Sequence, residues 1–405
     1  MPEAKPIYYL YYAKALYANG KCDLAKPWFE KYESILEENP RAEKSLFELT
    51  DCEEFEIPPH NHFYEVRKLP FNTKFDDFSP TFFKRGLIFV SERNYKSTDI
   101  YSNTINPFLE LFYTNIDATD VEALEFKYDE KPKKYINQQK SQYRDGSICF
   151  NKDETKVYFT RHNVEVQDKM EIKRLKIFTA DVDGDKWLNI ESLPFNSDEY
   201  SVAHPTLFTD GKILYFSSDM PGGFGGMDLY YAVFENGNWS PPHNLGPRIN
   251  TEKHEVYPYI HSSGRLYFSS DGYLGLGSLD IYYCDNNDGV WSEVKNVGFP
   301  IDTTIDDFGI ILNEEKTFGY FTSNREGGEG RDDIYSFKYN VVEVEVLVYD
   351  ENTGNPIKNA EVLNDCSNLT LKTDKGGKAI FELPLNKCCS FIANKETYEE
   401  NIIES

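Results

Sequence analysis

Residues 213–219 read Ile-Leu-Tyr-Phe-Ser-Ser-Asp, and residues 266–271 read Leu-Tyr-Phe-Ser-Ser-Asp. Looser copies end at Ser91 (Leu87-Ile88-Phe89-Val90-Ser91), at Thr160 (Val157-Tyr158-Phe159-Thr160) and at Ser323 (Gly319-Tyr320-Phe321-Thr322-Ser323). Each copy is followed by a second short apolar run, at Leu111, Ile177, Leu229, Ile281 and Ile334, in steps of 66, 52, 52 and 53 residues. Short apolar runs bounded by turn residues are strand signals. A strand-rich period of about fifty residues predicts a β-propeller.

The flanks of the phrase extend this reading. Asp183-Gly184, Asn236-Gly237 and Asp288-Gly289 each lie between two strand patterns and suit tight hairpin turns. A Trp follows each of them (Trp187, Trp239, Trp291) and opens an outer strand. Val66-Arg67-Lys68-Leu69-Pro70-Phe71 precedes Asp76-Asp77-Phe78, as Val294-Lys295-Asn296-Val297-Gly298-Phe299 precedes Asp306-Asp307-Phe308. The same outer strand thus stands before the first blade and before the last. Residues 63–69 are expected to complete the last blade, which covers an open edge and gives five blades.

Two other textures flank residues 58–340. Residues 1–57 read as helices: Tyr9, Ala13, Leu16 and Tyr17 share one face, and Ala25, Phe29, Tyr32 and Ile35 share another. Asn19-Gly20 separates them and Asp23 is placed to cap the second. The small residues Ala13 and Ala25, with Phe29, have tetratricopeptide-like spacing. Residues 341–405 read as short strands with turns at Thr353–Ile357 and Thr373–Gly377, as in a small β-sandwich. The expected fold is therefore mainly β: a five-bladed propeller between a tetratricopeptide-like helical segment and a sandwich.

A net charge of −25 argues against nucleic acid and anionic membrane surfaces as partners. The run from Lys131 to Lys140 is the one basic stretch and reads as a solvated loop. No segment has the roughly 20 apolar residues needed to span a bilayer. The seven cysteines show no zinc spacing. Cys149 and Cys284 fall in strand patterns as small buried hydrophobes. A bridge from Cys366 to Cys388 or Cys389 is expected in an oxidising compartment, and a Cys22–Cys52 bridge is open within the helical segment.

The residues that could carry chemistry read more simply as structure. Asp181-Val182-Asp183-Gly184-Asp185 begins like a calcium loop, but its twelfth position is Ser192 rather than Glu, so it reads as a turn. The Gly-rich stretches 222–226, 272–277 and 327–330 precede strands, not the helix N-terminus that a phosphate cradle needs. No Gly-x-Ser-x-Gly elbow occurs. Asp219 and Asp271 recur by position as turn caps, and His204 and His254 suit hydrogen bonds between blades. No catalytic residue, metal or cofactor is expected. Phe224 and Tyr273 are candidates for a partner or ligand face at the blade tops.

The stretch Leu193-Pro194-Phe195-Asn196-Ser197-Asp198-Glu199-Tyr200-Ser201, then His204-Pro205, Asp210-Gly211-Lys212, Leu214–Gly223, Asn244-Leu245-Gly246 and Ile249-Asn250-Thr251, resembles the propeller of Bacteroidetes OmpA-family envelope proteins. The resemblance is to the PorE-like components of the type IX secretion system. It implies a non-enzymatic periplasmic scaffold, associated with the outer membrane, whose partners are secretion-system proteins of the envelope. It also implies that the sandwich is of the carboxypeptidase-regulatory-like type. In that family peptidoglycan is bound by an OmpA-like domain and the precursor carries a lipid anchor. Neither is found among these residues, so a mature or trimmed form is expected. The alternative is a glycan- or peptide-binding propeller module of the envelope, using its central channel.

Overall fold

The computed structural model describes residues 22–35, 64–93, 109–120, 125–135, 144–162, 174–273, 275–287, 289–339, 341–365, 369–384, 389–396 and 401–404, with single positions at 9, 12, 13, 16 and 398. The chain is mainly β, in antiparallel sheets. It forms two compact units: Met1–Cys52 with Val66–Phe337, and Glu53–Glu65 with Lys338–Ser405.

The first unit holds a helix, Cys22–Ile35. Asp23 is the second residue of this helix, not the residue before it that would cap it. Ala13 and Ala25 are buried, and Trp28 lies between Tyr9 and Tyr12 with ring centroids at 5.8 and 4.9 Å. Cys52 and residues 36–51 lie outside the described residues.

Five sheets follow, numbered here in chain order. Sheet 1 comprises Asp77–Phe83, Gly86–Ser91, Glu110–Asp120 and Glu125–Tyr128. Sheet 2 comprises Arg144–Phe150, Lys156–His162, Leu175–Asp183 and Lys186–Ser192. Sheet 3 runs through Val202–Leu207, Ile213–Ser218 and Asp228–Glu235, with Asn238–Trp239 and His243–Asn244 as two short outer pieces. Sheet 4 repeats that plan with Glu255–Ile260, Arg265–Ser270, Asp280–Asn287, Val290–Trp291 and Lys295–Asn296. Sheet 5 comprises Asp307–Leu312, Phe318–Ser323 and Asp333–Tyr339, and its outer strand is Tyr64–Lys68 from the other end of the sequence.

The recurring phrase forms the second strand of each sheet. Its residues are buried on both faces, as in Gly86–Ser91 and Ile213–Ser218, because each sheet is covered by a neighbour on either side. That is why the phrase is a continuous apolar run instead of an alternation. Its five Phe residues, Phe89, Phe159, Phe216, Phe268 and Phe321, are all fully buried. Each contributes about 1.5–3 kcal/mol by area removed from water.

The cores lie between sheets. One joins Ile88 and Leu111 of sheet 1 to Val157 and Phe159 of sheet 2. Others join Tyr158 to Phe216, and Tyr215 to Phe268. A further core joins Leu87 and Phe89 of sheet 1 to Tyr320 and Ile334 of sheet 5. The Asp77 N–H also donates to the Asp332 carbonyl at 2.8 Å, so the succession of sheets returns on itself in a propeller-like ring. Among the described residues no helix is long and apolar enough to cross a membrane.

The second unit pairs Val341–Leu347 with Lys378–Pro384, and orders a four-stranded sheet as Leu369–Lys372, Glu361–Asn364, Ser390–Asn394 and Asn401–Glu404. Its core is Val346, Val362, Phe381, Leu383, Cys389 and Phe391, with the two Phe rings 5.0 Å apart. The 373–377 turn is held by Asp374, whose Oδ1 accepts the N–H groups of Gly376 and Lys378.

Candidate functional site

Four loops leading into first strands share a local phrase: Phe71-Asn72-Thr73, Phe195-Asn196-Ser197, Ile249-Asn250-Thr251 and Ile301-Asp302-Thr303. The Asn at its second position clamps one third-strand residue by both backbone groups. Asn72 accepts the Ile334 N–H at 3.1 Å and donates to its carbonyl at 2.8 Å. Asn196 does the same to Ile177 at 2.9 and 2.6 Å, and Asn250 to Leu229 at 2.7 and 3.0 Å. In sheet 4 the clamp is Asp302, which accepts the Ile281 N–H at 2.9 Å.

The Thr at the third position caps an acid four residues on. Thr73 donates its N–H and hydroxyl to Asp77, Thr303 to Asp307 and Thr251 to Glu255. Two of these acids meet an arginine: Arg93 reaches Asp77 at 2.7 Å and Arg325 reaches Asp307 at 2.8 Å. Sheet 2 has a related pair, Arg161 with Asp145 at 2.6 Å. Glu255 has none. Ser270-Asp271-Gly272 stands where Ser323-Asn324-Arg325 supplies the cation in sheet 5. Burial therefore pushes the Glu255 carboxyl up to about 7.

The Gly-rich loops complete this junction. Asp228 accepts the N–H groups of Phe224 and Gly225, Asp280 that of Gly277, and Asp333 those of Glu329 and Gly330. Gly225, Gly277 and Gly330 lie so close to the next loop that a Cβ would sit 2.4, 1.9 and 2.1 Å from a backbone carbonyl oxygen. These glycines are needed for close backbone approach, not for anion binding.

The first strands enclose an axial cavity of about 230 Å³, with walls from all five sheets. Every first strand breaks register at the same point, between Phe78/Thr81, Asp145/Ile148, Ala203/Thr206, Val256/Tyr259 and Phe308/Ile311. At that point Ser79, His204, Tyr257 and Gly309 take φ values of 52°, 55°, 50° and 64°. Left-handed backbone at a non-Gly residue costs about 1–3 kcal/mol and persists only where the surroundings enforce it. Here the enforcement is visible: the N–H of His204 donates to Thr160 Oγ1 at 2.9 Å, and that of Ser79 to Thr322 Oγ1 at 3.0 Å. The His204 and Tyr257 rings stack at 3.9 Å, and the Tyr257 N–H donates to His204 Nδ1 at 3.4 Å. Burial pushes the His204 pKa down to about 3, so the imidazole is neutral.

Phe224 is 47% exposed in the loop before Asp228, whereas the other remaining sequence candidates are engaged by partners within the fold. The Tyr273 hydroxyl donates to the Ile249 carbonyl at 2.7 Å, and its ring packs 5.0 Å from Tyr282. His254 Nδ1 accepts the Met227 N–H, and Asp271 accepts the His254 N–H. Asp219 accepts the Ser201 N–H and pairs with Arg174. Asp181 is held in its hairpin by Lys156 and Asn189. Lys133-Lys134, read as loop, forms a short strand on Phe112-Tyr113, and Lys134 pairs with Glu110. Lys133 stays exposed, so the pairing does not desolvate its charge, and Lys134 has a carboxylate beside it. Cys149 and Cys284 are free thiols, and Cys389 is disulfide-bonded. Cys366 and Cys388 lie outside the described residues, as does Cys52, while Cys22 opens the helix. No group of three His, Cys, Asp or Glu among the described residues is placed to hold a metal ion.

No protein-family model and no curated relative matches this chain. Solved structures similar to it include TolB from Acinetobacter baumannii, at 14% identity and TM-score 0.34, over 69% of this chain and 60% of that one. The RS223 β-xylosidase aligns at 13% identity and TM-score 0.43, over 72% of this chain and 98% of that one. Zg3597, a family 117 glycoside hydrolase from Zobellia galactanivorans, aligns at 10% and 0.42, over 69% and 91%. Similarities at this level assign this chain neither substrate nor partner.

Proposed function

We propose that the five sheets are the blades of a propeller, and that the chain is a non-enzymatic scaffold of the bacterial envelope. In this reading residues 1–57 are tetratricopeptide-like helices, residues 58–340 the propeller and residues 341–405 a regulatory-like sandwich. The place of action is the periplasm at the outer membrane, and the partners are secretion-system proteins of the type IX kind.

One observation carries the non-enzymatic reading: the recurring acids are already engaged in holding the loops around their own strands. Asp77 and Asp307 are each held by a Thr and an Arg, and Asp228 by loop N–H groups. The axial cavity has one carboxylate in its lining, Glu154, which accepts the Lys84 N–H at 2.6 Å. Glycoside cleavage calls for a pair of carboxylates flanking the bond. The resemblance over residues 193–251 supports the envelope assignment. Affinity capture from an envelope extract should recover outer-membrane secretion components in stoichiometric amounts. Capture of none, under conditions that keep membrane complexes intact, overturns the scaffold reading.

A further inference from the structure

We propose that the axial cavity is a binding site for one uncharged, polyhydroxylated ring, a neutral pyranoside, held without hydrolysis. The site goes beyond the scaffold reading and is independent of it, since a scaffold works with the cavity filled or empty.

His204 Nδ1 accepts the Tyr257 N–H, so the proton of the neutral ring sits on Nε2. Nε2 makes no hydrogen bond among the described residues, and neither does the Tyr257 hydroxyl. Both residues line the cavity. A donor held in a fixed orientation beside a cavity is matched by a ligand that accepts. The stacked pair, held by left-handed backbone at both residues, also offers an aromatic surface of fixed geometry.

The rest of the wall selects against charge. Glu154 and Lys152 are the only charged lining groups among the described residues; Lys152 is exposed, and Glu154 already accepts the Lys84 N–H. A charged ligand would lose its hydration against walls that are otherwise uncharged. The other polar lining groups include hydroxyls fixed by the sheets. Thr81 donates to the Ile148 carbonyl at 2.9 Å, Tyr259 to the Leu312 carbonyl at 2.8 Å, and Thr206 accepts the Ile260 N–H at 3.2 Å. Each keeps a lone pair for a ligand hydroxyl. An aromatic surface, uncharged donors and acceptors, and a preformed cavity suit a sugar ring. A lone lining carboxylate leaves glycosidic bonds intact.

The test uses the full chain, with glucose and N-acetylglucosamine as neutral probes and glucosamine and glucuronate as charged ones. Calorimetry should give saturable binding of at least one neutral probe, with a Kd in the millimolar range or tighter and no reducing ends released from oligosaccharide. The charged analogues should bind at least about tenfold more weakly. His204→Phe keeps a ring but removes the donor, and should weaken binding about tenfold, the worth of one hydrogen bond. If that variant does not fold, the imidazole resonances of His204 in the wild-type chain supply the readout, and they should shift with the same saturation curve. Absence of saturable binding by both neutral probes overturns the proposal. So does equal binding of the charged analogues, or saturation with the His204 resonances unmoved.

Discussion

Asp302 accepts the backbone N–H of Ile281 at 2.9 Å from a fully buried position, and its second oxygen has no partner. The equivalent Asn72, Asn196 and Asn250 use a side-chain amide there to donate to the third-strand carbonyl. A carboxylate cannot donate, but a carboxylic acid can. Burial, then the charges of Asp280 and Asp307, hold the Asp302 pKa well above the usual carboxylate range. Protonation would give Asp302 the donor that the three amides already have.

Asp302→Asn should therefore raise stability at neutral and alkaline pH by about 1–2 kcal/mol, the worth of a satisfied buried hydrogen bond. The sign follows from linkage. A raised folded-state pKa gives a contribution that is complete below the unfolded pKa and is lost as pH rises toward the folded value. Thermal melts should show the two proteins alike in acid, with the variant more stable as pH rises. A variant that melts lower at pH 8 contradicts the assignment.

The Glu255 pKa is likewise raised by burial, and the residue lacks the cation of its counterparts. The Arg that serves Asp77 and Asp307 is replaced here by Gly272, and the carboxyl is pushed up to about 7 from 4.5, mainly by burial. Its contribution to stability should fall between pH 4.5 and about 7 and then level off. Glu255→Gln should flatten that slope and leave the acid limit unchanged. Urea midpoints measured from pH 4 to 8 test this, and parallel profiles for the two proteins would exclude it.

The Gly-rich loops predict a contrast between two alanine variants. A Cβ at Gly277 would lie 1.9 Å from the Ile305 carbonyl oxygen, whereas at Gly376 the nearest atom is Asp374 Oδ1 at 3.3 Å. Gly277→Ala should cost about 1–3 kcal/mol as overpacking against backbone. Gly376→Ala should stay within about 0.5 kcal/mol, as expected of an exposed turn. Equal midpoints for the two variants would show that the loop approach is not tight.

The strands were legible because their cause is local. Leu214-Tyr215-Phe216-Ser217-Ser218 is an apolar run closed by a turn, and it is a strand buried on both faces. His204 was legible as a link between sheets, since its Nδ1 accepts the Tyr257 N–H of sheet 4. The Asn/Asp clamp was not read from sequence, though its spacing before a Thr and an acid repeats. A side chain reaching a strand 21 residues back, as Asn250 reaches Leu229, is a tertiary contact that a local pattern does not announce. The cavity was less legible still. Its walls are single register breaks, each in a different sheet, and only closure of the ring brings them together.

Arg325 provides the largest expected effect. Its guanidinium reaches Asp307 at 2.8 Å, donates to the carbonyls of Pro300 and Ile301, and lies 4.8 Å from the ring centroids of Phe321 and Tyr335. Arg325→Met keeps much of the apolar stem but leaves Asp307 buried without its cation. Breaking a buried pair from one side costs about 3–5 kcal/mol. Burial already raises the Asp307 pKa against the opposing pull of Arg325, so removing that pull raises it further. The unpaired acid is then neutralised more readily, and the loss should be smaller at pH 5 than at pH 8. Urea unfolding at both pH values measures the difference. A loss independent of pH would mean that the carbonyl and ring contacts of Arg325, rather than its charge on Asp307, hold this junction.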